Sequence, residues 1–92
     1  MRILTENDYK IMSRFINLKA LSKTTGITRK VLTEATGLSY SKVRSGVNAL
    51  IEYGFIDIGI AKGREMTYFI TEKGSIELKT IAESTINIKG EN

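Results

Sequence analysis

Four cations occupy helix positions that normally favour acids. Arg29 and Lys30 fall in the first turn of a helix that Thr28 can cap, and Lys42 and Arg44 follow Ser39, which can cap the next one. Each opposes the helix dipole at a cost of about a few tenths of a kcal/mol. An anion offsets that cost, because free N–H groups at a helix start and a neighbouring cation together hold a phosphate well. Two further cations, Lys62 and Arg64, flank Gly63 in a stretch suited to a hairpin tip. The chemistry on offer is recognition of a polyanion.

Composition points the same way. The 92 residues carry a net charge of +4 and include no histidine and no cysteine. Without them the commonest general base, the thiol nucleophile and the thiolate zinc site are all missing. The acids Glu34, Glu52, Asp57, Glu65, Glu72, Glu77 and Glu83 are dispersed among basic neighbours, as on solvated faces. Gly54 and Gly59 have the spacing of a phosphate loop, but Ile60 and Ala61 stand where Lys and Ser/Thr are required. No enzymatic activity, metal or cofactor is expected. The charge is uneven: between Lys10 and Arg44 eight basic residues face the single acid Glu34, giving +7, while the rest of the chain is net −3. No apolar run is long enough for a membrane span or a signal-peptide core, so a soluble, cytoplasmic protein is expected.

The elements that would position these cations follow from capping and periodicity. Thr5 caps a first helix, with Glu6 and Asp8 in its first turn, predicted to run to Leu21 or Lys23 and to bury Ile11, Met12, Phe15, Ile16 and Leu18. Ile27 is expected to make a short extended contact. Thr28 begins a second helix to about Thr36, with Val31, Leu32 and Ala35 inward, and Gly37 stops it. After Leu38, Ser39 opens a third helix ending at Tyr53 and Gly54. Its inner face is Val43, Val47 and Leu50, and its outer face Ser41, Ser45, Asn48 and Glu52. Gly46 costs about 1 kcal/mol relative to alanine in mid-helix, which implies close approach of another helix. Alternation then predicts strands over 55–61 and 66–71, with Ile56, Ile58 and Ile60 on one face and Met66, Tyr68 and Ile70 on the other strand's face. Thr71 and Glu72 start a last helix fading near Ser84, with Ile76, Leu78, Ile81 and Ala82 apolar. One domain over 1–92 is expected, mainly α with a small β-hairpin: a helix-turn-helix at 27–54, a wing at 55–71, and flanking helices at 5–23 and 72–84.

This order is similar to the winged helix-turn-helix regulators of the MarR and PadR kind. The resemblance is carried by Ile27-Thr28, Leu32, Ala35, Gly37-Leu38-Ser39, Val43, Leu50 and Gly54-Phe55-Ile56, and again by Thr71-Glu72-Lys73-Gly74. It implies a recognition helix at 39–53 that makes base contacts from its N-terminal half in the major groove, and a wing whose tip reaches phosphate or the minor groove. The residues expected to touch double-stranded DNA are Arg29, Lys30, Ser39, Tyr40, Ser41, Lys42, Arg44, Ser45, Asn48, Lys62 and Arg64. The function expected is a homodimeric, repressor-type transcription regulator paired through the first and last helices. The alternatives are a plasmid or phage centromere-binding partition protein that coats repeated sites, and a protein-interaction module that uses the fold without DNA. The sequence points to no small-molecule effector.

Overall fold

The computed structural model describes residues 4–80. Its elements are α1 (Glu6–Asn17), α2 (Arg29–Thr36), α3 (Tyr40–Glu52), β1 (Ile56–Ile58) and β2 (Tyr68–Ile70), followed by α4, helical over 72–80. The three helices before the hairpin enclose Ile11, Met12, Phe15, Leu32, Val43, Val47 and Leu50, and Ile56 and Ile70 close the core from the hairpin's base.

Capping accounts for the helix starts. The Thr5 side chain accepts from the Asp8 N–H at 3.2 Å, and the Asp8 carboxylate accepts from the Thr5 N–H at 2.9 Å, a reciprocal box at the head of α1. Thr28 and Ser39 accept from the N–H groups of Val31 and Lys42 in the same way. Gly37, at φ 72°, ends α2, and Gly54, at φ 78°, follows the end of α3.

α1 stops short of the predicted Leu21 to Lys23. Lys19 adopts φ 57°, its N–H bonds to the Ile16 carbonyl at 3.0 Å, and the Ala20 N–H bonds to the Phe15 carbonyl at 2.9 Å. That pair of bonds closes a helix as a Schellman turn. Burial of Ala20 beside Phe15 favours it over another helical turn, which is why Leu18 and Leu21 are exposed.

α2 is rotated from its predicted orientation. Leu32 and Thr36 are buried, Ala35 is half-buried, and Val31 is 38% exposed. The Thr36 hydroxyl donates to the Leu32 carbonyl and accepts from the Leu38 N–H, so a polar residue is buried at no hydrogen-bonding loss.

The hairpin is shorter than alternation implied. Its antiparallel register pairs Ile56 with Ile70, Asp57 with Phe69 and Ile58 with Tyr68. Ile27 adds a bridge to Tyr68, as expected of it. Beyond that point the Gly59 N–H reaches the Thr67 carbonyl, while the Ile60 N–H turns aside to the Lys23 carbonyl. Thr67 is buried and donates to the Ile60 carbonyl at 2.7 Å. The distal hairpin therefore rides beside the 22–25 turn instead of over the core, leaving Ile58, Ile60 and Met66 exposed, with Ile60 at 61%.

The Thr71 hydroxyl accepts from the Gly74 N–H and so caps α4, and it donates to the Gly54 carbonyl. Within α4, Leu78 packs on the core and Ile76 faces outward. The expected positions Ile81 and Ala82, the helix limit at Ser84 and the tail 85–92 lie outside the described residues.

Candidate nucleic-acid interface

The outward face of α3 is built by exclusion. Val43, Gly46, Val47, Ala49 and Leu50 are buried, so the helix period leaves Ser41, Lys42, Arg44, Ser45 and Asn48 exposed, with Ser39 and Tyr40 exposed at its start. The α1 contact at Gly46 seats the helix deeply and orients this row away from the body.

A cleft of about 610 Å³ opens beside that row. It is lined by Arg29, Lys30, Thr33 and Glu34 of α2, Tyr40 of α3, and Arg64, Glu65 and Met66 of the hairpin tip. Four of the residues selected from sequence, on three separate elements, thus share one wall-to-wall space. Ser39, Ser41, Lys42, Arg44, Ser45, Asn48 and Lys62 do not line it; they lie on the α3 face and at the tip. Glu34 and Glu65 temper the positive field inside the cleft. Among the described residues none of Lys30, Lys42, Arg44, Lys62 and Arg64 is paired with a carboxylate.

The tip holds Arg64 in place through its own backbone. Lys62 and Glu65 exchange two N–H···O bonds at 2.9 Å each, enclosing the two-residue loop Gly63-Arg64. Gly63 has φ 59°, and Arg64 is not in the positive-φ region. Glycine first in the loop is the arrangement of a type II′ hairpin turn.

Arg29 is placed differently from the other cations. It is half-buried, and its guanidinium lies 5.7 Å from the Tyr40 ring centroid and 5.8 Å from that of Tyr68. Tyr68 carries no cue to a site in the sequence, where alternation marks it only as a strand position sharing a face with Met66 and Ile70. Two other cations serve the fold: Arg14 Nε donates to the Ala35 carbonyl at 3.0 Å, and Lys73 Nζ donates to the Tyr53 carbonyl at 2.9 Å. Each sits against the carbonyl end of a helix, where positive charge is favourable. Arg14 therefore contributes to the charge count of the 10–44 segment while being anchored on α2.

Among the described residues no group of three or more potential metal-ligating side chains occurs, and no helix is long and apolar enough to cross a membrane.

No family model matches the chain, and no curated protein matches it. Solved structures do. TubR from Bacillus megaterium pBM400 superimposes with a TM-score of 0.76 at 22% identity, covering 86% of this chain and 87% of that one. The DNA-binding TubR fragment from Clostridium botulinum gives 0.71 at 26% identity, covering 87% and 99%. The PcaV transcriptional regulator from Streptomyces coelicolor, solved in complex with its natural ligand, gives 0.73 at 18%, covering 91% of this chain and 58% of that one. The fold is the winged helix-turn-helix expected from sequence, with α2 and α3 as the helix pair and the β1–β2 hairpin as the wing.

Proposed function

We propose that this protein binds double-stranded DNA with sequence preference, as a homodimeric repressor-type transcription regulator that acts by occupying its site. α3 enters the major groove and the wing lies alongside. The observation that carries the reading is the convergence of Lys30, Tyr40 and Arg64, from three elements, on one cleft beside the exposed row of α3. In this reading Lys30, Lys42, Arg44, Lys62 and Arg64 meet phosphates, and Ser41, Ser45 and Asn48 face base edges. Its similarity to a DNA-binding fragment over nearly all of that fragment's length supports it. Pairing through α1 and α4 would cover Ile16, Leu18 and Ile76, which are exposed in the single chain.

Selection from random duplexes, followed by footprinting of the enriched sequence, tests the proposal. A short protected palindrome is the expected result. Binding that ignores salt, or survives the combined Lys42→Ala and Arg44→Ala change, would instead favour a protein-interaction module.

The second reading is a centromere-binding partition protein of a plasmid or phage. It is favoured by the mutual coverage with both TubR structures, 86 and 87% for one and 87 and 99% for the other, against 58% of the PcaV chain. Protection that spreads along direct repeats would replace the repressor reading with this one.

A further inference from the structure

The start of α2 is fixed to the wing through the backbone. The Ile27 N–H donates to the Tyr68 carbonyl and the Tyr68 N–H to the Ile27 carbonyl, each at 2.8 Å. Gly26 lies so close behind them that a β-carbon there would stand 2.7 Å from Thr67 Oγ1. The start of α3 has no such connection: among the described residues no hydrogen bond joins its first turn to the hairpin. What spans the gap is Arg29. Its guanidinium sits within cation–π range, about 6 Å, of both Tyr40, the first residue of α3, and Tyr68 in β2.

The two rings differ in a way that gives the bridge a direction. Tyr68 is 4% exposed and held by both its backbone groups, so it is the fixed end. Tyr40 is 51% exposed and is the end that is held. Lys30, next in the chain, is exposed, as a phosphate probe should be, whereas Arg29 is half-buried against two aromatic rings.

We propose that Arg29 is a positioning residue for DNA binding: by bridging Tyr40 and Tyr68 it fixes the wing against the start of α3, and thereby sets the spacing between the major-groove and wing contacts on the duplex. The proposal rests on the DNA-binding reading above. A planar, weakly hydrated guanidinium stacks on aromatic faces better than a compact, strongly hydrated ammonium, so Arg29→Lys keeps the charge and weakens the bridge.

The test uses the full chain and the selected duplex, comparing wild type with Arg29→Lys, Arg29→Ala and Tyr40→Leu. All three variants are expected to weaken binding by about three- to tenfold, with the slope of log affinity against log salt close to that of wild type. Hydroxyl-radical protection should fade on the wing side and persist where α3 binds. Wild-type affinity in Arg29→Lys, together with a slope reduced by about 1 in Arg29→Ala, would make Arg29 an ordinary phosphate contact and overturn the proposal. An unchanged footprint and affinity in Tyr40→Leu, a change at an exposed ring that spares the core, would overturn it as well. The bridge is also read without DNA: Arg29→Lys should shift the Tyr40 and Tyr68 ring resonances of the free protein, and unshifted rings would refute it. A wild-type chain that binds no duplex, with those resonances shifted, would refute the DNA-binding reading and leave the bridge standing.

Discussion

Gly46 lies directly against Ile11: a β-carbon at position 46 would stand 2.5 Å from Ile11 Cδ1 and 3.2 Å from Asp8 Oδ1. The middle of α3 is thereby seated on α1, and the seating angle decides which residues of α3 point outward. Gly46→Ala gains about 1 kcal/mol of helix propensity and forces an extra carbon into a filled site, at about 1 to 3 kcal/mol. A net loss of about 1 kcal/mol is expected by denaturant titration. Ile11→Val removes the methyl in the way, so the double variant should lose less than the two single changes added together. Additive losses would show that the contact does not set the helix position.

Lys19 closes α1 in the left-handed region at φ 57°, a conformation that costs a non-glycine residue about 1 kcal/mol or more. Lys19→Gly relieves that strain and loosens the unfolded chain. The expected balance is stabilisation by about 0.5 kcal/mol, measured as a higher midpoint at unchanged slope. A lower midpoint would mean that the lysine side chain supports the turn.

The same two places mark how far the sequence could be read. Caps at Thr5, Thr28 and Ser39 and the stops at Gly37 and Gly54 are local signals, and each of these boundaries was legible. The end of α1 was not, because its Schellman turn uses a lysine where glycine is the usual signal, and what selects it is the tertiary burial of Ala20, whose carbonyl accepts from the Ile70 N–H. Val31 and the distal isoleucines misled for a related reason. Periodicity says that a face is apolar, and only tertiary packing says which apolar residues find a neighbour. In the site, the cations at the helix starts were visible as dipole conflicts. Tyr68 was hidden because its aromatic contact with Arg29 spans nearly forty residues and leaves no mark on local pattern.

Acidity near neutrality should matter little. With neither histidine nor cysteine in the chain, no side chain with an ordinary pKa titrates between about pH 6 and 8. The group that stands out is Tyr9, whose hydroxyl is pushed above its usual 10.0 by burial first, then by the carboxylates of Glu77 and Asp8. The folded chain therefore holds this proton more tightly than the unfolded one. Its contribution to stability is complete below about pH 10 and is lost as pH rises through the folded value. Melting temperature should be level from about pH 6 to 8 and fall under alkaline conditions, less steeply in Tyr9→Phe than in wild type. Identical alkaline profiles would remove Tyr9 from the account.

The wing and α3 should fail in distinguishable ways. Lys62 and Arg64 sit at the end of a hairpin whose turn places charge and little else. Lys62→Ala or Arg64→Ala should weaken binding to all duplexes to a similar extent and lower the salt slope by about 1 each. Ser45 and Asn48 are uncharged and lie on the exposed row of α3, so their replacement by alanine should leave that slope in place and change which bases are preferred, by about 1 to 3 kcal/mol at one position. Gly63→Ala supplies an independent check on the wing, because its φ of 59° suits glycine and resists a β-carbon. Distorting the tip should reproduce the uniform loss without removing any charge. Affinity measured on the selected duplex and on single-base variants, at several salt concentrations, separates these outcomes. A change of sequence preference from the wing variants, or a lowered slope from Ser45→Ala, would reverse the roles assigned to the two elements.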